Sequence, residues 1–166
     1  AIKKKKLKKN GIIVEGTAGN TGIGLTLVGN SFGFKSVIVM PKTQSEEKKN
    51  ELRSYGAELT LVPAVPYSNP KNYVRYSETL ANNIKKNNKK KSVLWANQFD
   101  NLANFQAHYE TTGPEIWKDT KGKIDGFVCS VGTGGTIAGI GSFLKKKNNK
   151  IKIGLVDPFG SALHNY

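Results

Sequence analysis

The 166 residues of this chain suffice for one ordinary domain or two small lobes, and 37% hydrophobic residues with 18 glycines are typical of a globular, turn-rich protein. No apolar run approaches the roughly 20 residues that a membrane-spanning helix needs. The net charge of +14 suggests nucleic acid, but only Arg53 and Arg75 among the 26 basic residues are arginines, the usual bidentate readers of bases and phosphates. We therefore predict that the chain binds neither a membrane nor nucleic acid.

Short apolar runs alternate with helix-like patterns along the whole chain. Strands are predicted at residues 12–14, 36–40, 58–62, 93–95, 126–131 and 151–156. Helices are predicted at about residues 21–32, 43–55, 72–86, 102–112 and 136–147. Gly33 is placed to end the first helix, and Thr43 with Glu46 forms a capping box that opens the second. The alternation predicts an α/β fold in which helices cover open parallel sheets.

Glycine-rich loops follow the first and the fifth predicted strands, and open parallel sheets bind their ligands at such loops. The later loop reads GTGGT over residues 132–136, just before a predicted helix. Its glycines let successive N–H groups face one anion, while two threonine hydroxyls and the helix dipole add to the attraction. The loop lacks a P-loop lysine, and Ile137 stands where a dinucleotide fingerprint has its last glycine. A phosphate cup is therefore favoured over a nucleotide site or a plain tight turn.

The earlier loop reads EGTAGNTGIG over residues 15–24 and leads into the first predicted helix. Its hydroxyls, amide side chain and N–H groups suit a carboxylate, although an ordinary capped helix would show the same pattern. A third segment reads NQFDN over residues 97–101, with Asn104 close behind, and clusters amides directly after a strand. Amides that merely hold a loop together would explain this segment equally well if it stood alone.

Together, and in this order, the three segments resemble the cysteine synthase (O-acetylserine sulfhydrylase) branch of the fold type II pyridoxal-phosphate (PLP) enzymes, the tryptophan synthase β superfamily. The likeness runs through nearly the whole chain, including PKTQS at residues 41–45, YGAE at 55–58 and TGPEIW at 112–117. It implies a partial two-lobed fold, with the substrate loop in an N-terminal lobe at residues 1–98 and the phosphate loop in a C-terminal lobe that starts at residues 99–166. It also implies PLP as cofactor and a β-replacement that forms L-cysteine from O-acetylserine and sulfide.

The resemblance assigns roles to individual loop residues. It implies that the substrate carboxylate is bound by Thr17, Gly19, Asn20, Thr21 and Gln98. It implies that the cofactor phosphate is held by Gly132, Thr133, Gly134, Gly135 and Thr136, while Asn20 also faces the ring oxygen of the cofactor. Many relatives carry serine where this chain has Ala18, so one hydroxyl contact to the carboxylate is missing.

The sequence departs from the family's pattern at the lysine that forms the Schiff base with PLP. In the family this lysine lies upstream of the first loop, in a serine or threonine-x-lysine-(aspartate or asparagine)-arginine context, which no lysine here matches. The serine that meets the pyridine nitrogen is also unmatched. We therefore expect an incomplete chain that is inactive by itself and has no catalytic residue of its own. The alternatives are a cystathionine β-synthase-like enzyme and a non-catalytic relative that binds amino acids or partners.

Other site chemistry is only weakly indicated. His108 and His164 lack metal-ligand spacing and a neighbouring nucleophile motif, so we expect ordinary hydrogen-bonded histidines and no metal site. Cys129, the single cysteine, lies in an apolar strand and is expected to be a buried hydrophobe in a reducing compartment. The resemblance implies a cytoplasmic homodimer that acts on a small amino acid, or a mitochondrial one if an upstream targeting segment exists. The sequence leaves open the sulfur donor and the acyl-serine.

Overall fold

The structure is a computed structural model that describes residues 1–161, so His164 lies outside the described residues. It divides into two compact units, Ala1–Asn97 and Gln98–Tyr166. Each unit combines parallel strands with helices, which confirms the predicted α/β fold of two partial, open parallel sheets. The assignment of residues 1–98 and 99–166 to two lobes of a larger enzyme remains a prediction.

The first unit is built around a four-stranded parallel sheet. Its elements are β1 (Ile12–Gly16), α1 (Asn20–Ser31), β2 (Lys35–Pro41), α2 (Glu46–Ser54), β3 (Glu58–Val62), α3 (Tyr73–Asn87) and β4 (Val93–Trp95). The strands lie in the order β3-β2-β1-β4, with Val14 opposite both Val37 and Trp95. Parallel strands need crossover connections, and the helices provide them.

Both faces of this sheet are covered, since β1 and β2 are buried along nearly their whole length. Successive side chains of a strand point to opposite faces, so Val37 and Ile38 face different helices. On one face Ala81 of α3 packs with Val14 and Val37. On the other face Leu52 of α2 packs with Ile38, which is fully buried. The sheet is therefore a rigid support for the loops at its carboxyl edge.

The ends of the helices partly match the sequence predictions. Gly33 follows the C-cap of α1 with a φ of +71°, a left-handed conformation that glycine adopts without strain. The capping box of Thr43 with Glu46 is wrong, because Ser45 is the N-cap of α2 and accepts a hydrogen bond from the Lys48 N–H at 3.4 Å. Because α2 begins after Ser45, Glu46 and Glu47 lie in its first turn, where the helix dipole stabilises negative charge.

The second unit is a smaller βαβ arrangement with two further helices. Its elements are α4 (Ala103–Glu110), α5 (Thr112–Asp119), β5 (Gly126–Ser130), α6 (Gly135–Lys147) and β6 (Lys152–Val156). β5 and β6 pair in parallel, and α6 is the crossover between them. Its core contains Ile140 and Leu144 of α6 together with Ile151, all at most 1% exposed.

Two features of this unit differ from the predictions. The pattern at residues 102–112 predicted one helix, but α4 ends before Thr111, whose non-helical backbone (φ −121°, ψ −73°) separates it from α5. Pro114 lies in the first turn of α5, where its missing N–H has no helical partner to lose. The prediction that Cys129 is buried is wrong, because α6 covers Phe127 of β5 while the carboxyl end of that strand is partly exposed.

No helix in the described part of the chain has the length and apolar character required to cross a membrane.

Candidate functional site

The first loop leaves the sheet at a topological switch point. β2 and β3 lie on one side of β1 and β4 lies on the other, so the strand order reverses beside β1. Open parallel sheets form their ligand crevice at such a point, outside the carboxyl ends of the strands. The loop from Thr17 to Thr21, between β1 and α1, occupies this position.

Internal hydrogen bonds hold this loop in place. The Thr17 N–H donates to the Val39 carbonyl at 2.9 Å, and the Thr17 hydroxyl accepts from the Gly19 N–H at 3.1 Å. Gly22 is buried, and a Cβ there would lie 2.9 Å from Cγ2 of Thr17, so the start of α1 lies directly against the loop. The protein's own hydrogen bonds and packing therefore hold the loop in this conformation.

The start of α1 also provides an electropositive environment. Gly19 is the N-cap and makes no side-chain capping bond, so the first amides of α1 have no acceptor within the helix. Asn20 lies exposed in this first turn. The ammonium of Lys48 on α2 lies 3.8 Å from the position that a Cβ on Gly19 would occupy. A carboxylate at this helix start would meet N–H donors, the helix dipole and a nearby cation.

A buried acid behind the loop was not singled out from the sequence. Glu15 on β1 is 1% exposed, although it stands at the end of an apolar strand where a charged residue is unusual. Burial, and secondarily the charge of Glu15, raise the pKa of Tyr73 above its usual value of 10.0. The unusual Glu at the end of a buried run is the signal in the sequence that could have indicated this pair.

Two features show that the conformation of Asn97, which follows β4, is constrained. Its φ of +49° is left-handed, which is uncommon for a residue other than glycine. Its Oδ1 is buried and has no hydrogen-bond partner among the residues that the structure describes. Strain and unsatisfied polar atoms tend to persist at functional sites, where the surrounding structure imposes them.

The second loop forms an open anion cradle at the start of α6. Gly134 is the N-cap with a left-handed φ of +84°, and the helix begins with the bond from the Ala138 N–H to the Gly134 carbonyl. The preceding amides of the first turn, from Gly135 to Ile137, therefore have no acceptor within the helix. A Cβ on Gly132 or Gly134 would meet no atom within 4 Å, so the space in front of the loop is open. These features fit a phosphate group.

A cavity within the second unit joins this loop to the third segment of the sequence. It has a volume of about 240 Å³. Its lining includes Gln98, Asn104 and Phe105 together with Thr133 and Gly134. The amide cluster and the second glycine-rich loop, which are far apart in the sequence, therefore share one cavity.

Helix α4 supports the second loop from behind. Asn104 Nδ2 donates to Thr133 Oγ1 at 2.7 Å, and His108 Nε2 lies 3.1 Å from Thr136 Oγ1. His108 Nδ1 lies 3.0 Å from Thr112 Oγ1, so the expectation of a hydrogen-bonded histidine is confirmed. The link from His108 to the loop was missed, because residues 28 positions apart share no local sequence signal.

Among residues 1–161, no group of three or more His, Cys, Asp or Glu side chains is arranged to hold a metal ion.

These observations define the class of protein: a parallel α/β protein with two glycine-rich, electropositive loops at helix starts. The chain belongs to the family described as pyridoxal-phosphate dependent enzyme, whose model matches residues 1–165. The predicted family resemblance is therefore confirmed. Membership in this family implies PLP as the cofactor.

Three similar proteins illustrate the relationship. The chain is 53% identical over 165 residues to cysteine synthase 1 of Emericella nidulans, an alignment that covers 96% of this chain and 42% of that protein. The crystal structure of cysteine synthase from Entamoeba histolytica matches with a TM-score of 0.82 and 40% identity, covering 99% of this chain and 46% of that one. A hydrogen sulfide-producing enzyme from Fusobacterium nucleatum matches with a TM-score of 0.85 and 39% identity, covering 98% and 52%. The chain thus spans about half the length of these relatives.

Proposed function

We propose that this chain forms part of a PLP-dependent cysteine synthase, which makes L-cysteine from O-acetylserine and sulfide. The observation that carries the proposal is the open cradle at Gly132–Thr136, in a chain 53% identical to a named cysteine synthase. The relative that produces hydrogen sulfide is also consistent with a site that handles sulfur.

The second loop is proposed to hold the cofactor phosphate. The backbone amides at the start of α6 donate to it, and the helix dipole adds to the attraction. Thr133 and Thr136 contribute hydroxyl donors on the same turn. When bound, PLP supplies an electron sink for the bonds at the substrate α-carbon. The protein's contribution is to fix the cofactor's position through the five residues Gly132, Thr133, Gly134, Gly135 and Thr136.

The first loop is proposed to bind the α-carboxylate of the amino acid. Backbone amides at the start of α1 and the Asn20 side chain are proposed as donors, and Lys48 supplies a positive charge at close range. The resemblance assigns this role to Thr17, Gly19, Asn20, Thr21 and Gln98, and Asn20 additionally to the cofactor ring. The loop is held in shape before any substrate arrives, so little ordering entropy is lost on binding.

The decisive experiment uses the full-length protein that contains this chain, purified with PLP. We expect L-cysteine to form from O-acetyl-L-serine and sulfide, as measured by mass spectrometry, and to be lost in Asn20→Ala. We also expect borohydride reduction to mark one lysine upstream of Ala1 that lies next to an arginine-containing segment. The alternatives give different results: cystathionine from homocysteine and serine, or amino-acid binding without turnover. Either of these results would refute the cysteine synthase proposal.

The partners and the compartment are proposed on the same basis. We propose a homodimer that acts on a small amino acid in the cytoplasm, with no affinity for nucleic acid or membranes. Light scattering of the full-length protein at micromolar concentration gives its mass directly. Tight, salt-sensitive binding to duplex DNA would contradict this proposal and would show that the net charge of +14 serves nucleic-acid binding.

A further inference from the structure

The two threonines of the second loop are each held by a side chain from α4. Asn104 and His108 lie four residues apart on that helix and therefore share a face. Asn104 bonds to Thr133, and His108 bonds to Thr136, at 2.7 Å and 3.1 Å. One helix face thus contacts both hydroxyl groups of the cradle.

Glycines on α6 make this contact possible. A Cβ on Gly135 would run into the side chain of Asn104, and a Cβ on Gly139 would lie 2.7 Å from Cβ of His108. Both glycines are buried at the contact of α6 with α4. The two helices are therefore close enough for side chains of α4 to reach the loop, and tightly packed enough to hold those side chains in one place.

The direction of each hydrogen bond determines whether the threonine hydroxyl hydrogen is available to a ligand. A threonine hydroxyl has one hydrogen and can accept other bonds at the same time. Asn104 is the donor to Thr133, so the hydroxyl hydrogen of Thr133 is left for another acceptor. Thr136 can do the same only when His108 carries its hydrogen on Nε2 and donates it to Thr136.

The other end of the His108 ring allows either arrangement. Nδ1 lies 3.0 Å from Oγ1 of Thr112, which lies 3.5 Å from Oγ1 of Thr111. The Thr111 hydroxyl donates to the Ala107 carbonyl at 2.8 Å, so it can only accept from Thr112. With the hydrogen on Nδ1, Thr136 donates its hydroxyl hydrogen to Nε2 of His108, and Nδ1 donates to Thr112. With the hydrogen on Nε2, Thr112 donates to Nδ1, and Nε2 donates to Thr136, whose own hydroxyl hydrogen can then face the open side of the loop.

We propose that His108 is a positioning residue for the phosphate loop: an anion bound there selects the Nε2–H form of the ring, which turns the Thr136 hydroxyl toward the anion. The ring releases the Nδ1 proton to water and takes one at Nε2, so the number of bound protons does not change. Asn104 likewise donates to the Thr133 hydroxyl oxygen and so leaves the hydrogen of that hydroxyl for the anion. The proposal rests on the proposed function, since it takes this loop to be the phosphate site.

The experiment is a titration of the 166-residue chain, labelled with ¹⁵N, with inorganic phosphate and separately with PLP. The amides of Gly134 and Gly135 report binding, and the ring nitrogens of His108 report the tautomer, because protonated and unprotonated nitrogens have well-separated ¹⁵N shifts. We expect phosphate to move the ring toward the Nε2–H form.

Two matched variants separate positioning from general structure. The amide of His108→Gln reaches the place of Nε2 and can donate to Thr136, whereas the shorter His108→Asn reaches only the place of Nδ1. We expect about tenfold weaker phosphate binding in His108→Asn and near wild-type binding in His108→Gln. In a double-mutant cycle, Thr136→Val should add little to the loss in His108→Asn.

The possible outcomes separate the role of His108 from the existence of the phosphate site. If phosphate shifts the loop amides but leaves the His108 tautomer unchanged, or if His108→Asn binds as tightly as wild type, His108 has no positioning role and the phosphate site stands. If neither phosphate nor PLP perturbs the amides at residues 132–136, both this inference and the proposed phosphate site fail. The tautomer measurement uses the wild-type chain, so it decides the question even if a variant does not fold.

Discussion

The contact between α4 and α6 makes a quantitative prediction about two glycines of the same helix. In a helix interior, replacing glycine with alanine is worth about 1 kcal/mol of added stability when there is space for the methyl group. A Cβ on Gly141 would lie 3.5 Å from the side chain of Ile153, which is ordinary van der Waals contact. Gly141→Ala should therefore stabilise the second unit by about 0.5–1 kcal/mol.

At Gly139 the same substitution has the opposite effect. A Cβ there would lie 2.5 Å from the backbone carbonyl oxygen of Phe105, and contact becomes ordinary only at 3.4 Å, so α4 must move by about 0.9 Å. Displacing a packed backbone costs about 1–3 kcal/mol, and here the upper half of that range applies. After subtracting the gain in helix propensity, we expect Gly139→Ala to destabilise the unit by about 1–2 kcal/mol.

Urea unfolding measures the difference between these variants. The chain has one tryptophan in each unit, so in a Trp95→Phe background the fluorescence of Trp117, which packs on the core of the second unit, reports that unit alone. The two variants should differ by about 1.5–3 kcal/mol, with the midpoint lowered in Gly139→Ala and raised in Gly141→Ala. Equal midpoints would refute the close packing of α4 on α6, and with it the physical basis for the role of His108.

Three further predictions concern the first unit. Ser45→Ala should lower its stability by about 0.5–1 kcal/mol, while Thr43→Ala should not, as read from Trp95 fluorescence in a Trp117→Phe background. Because the folded-state pKa of Tyr73 is raised, stability should fall as the pH rises above the unfolded value of 10.0, and Tyr73→Phe should flatten this dependence in alkaline urea titrations. Lys48→Gln should weaken acetate binding, followed by the amide shifts of Gly19 and Asn20, about two- to threefold at low salt but not at high salt, whereas Lys35→Gln, at the amino end of β2, should have no effect.

The parts of the fold that local patterns determine could be predicted from the sequence. The strands at Glu58–Val62 and Val93–Trp95 match their predicted bounds, because both are short, largely apolar runs bounded by turn residues. The two glycine-rich loops were also located correctly between a strand and a helix, because glycine clusters are strong local signals of tight turns. Order and spacing of the three segments then identified the family.

The parts that depend on long-range packing could not be predicted. The partial exposure of Cys129 depends on how far α6 extends over β5, which no apolar pattern in the strand itself reveals. The contact of His108 with Thr136 requires α4 to lie against Gly139, and only the folded arrangement shows that this glycine is at a helix contact. The N-cap of α2 could almost be predicted, because Thr43 and Ser45 are both favourable N-cap residues. The acidic residues Glu46 and Glu47, which suit the first turn of a helix, favour Ser45.

A common physical feature of the two loops supports the proposal that each binds an anion. In the first loop the Thr17 hydroxyl accepts from the Gly19 N–H, and in the second the Thr133 hydroxyl accepts from Asn104. Each hydroxyl is thereby used as an acceptor inside the protein, and its hydrogen is directed to whatever acceptor comes next. Each loop also lies at a helix start, where the first N–H groups lack the acceptor that a preceding helical turn would provide. We propose that a carboxylate or phosphate there would replace several water contacts with hydrogen bonds whose donors are already oriented.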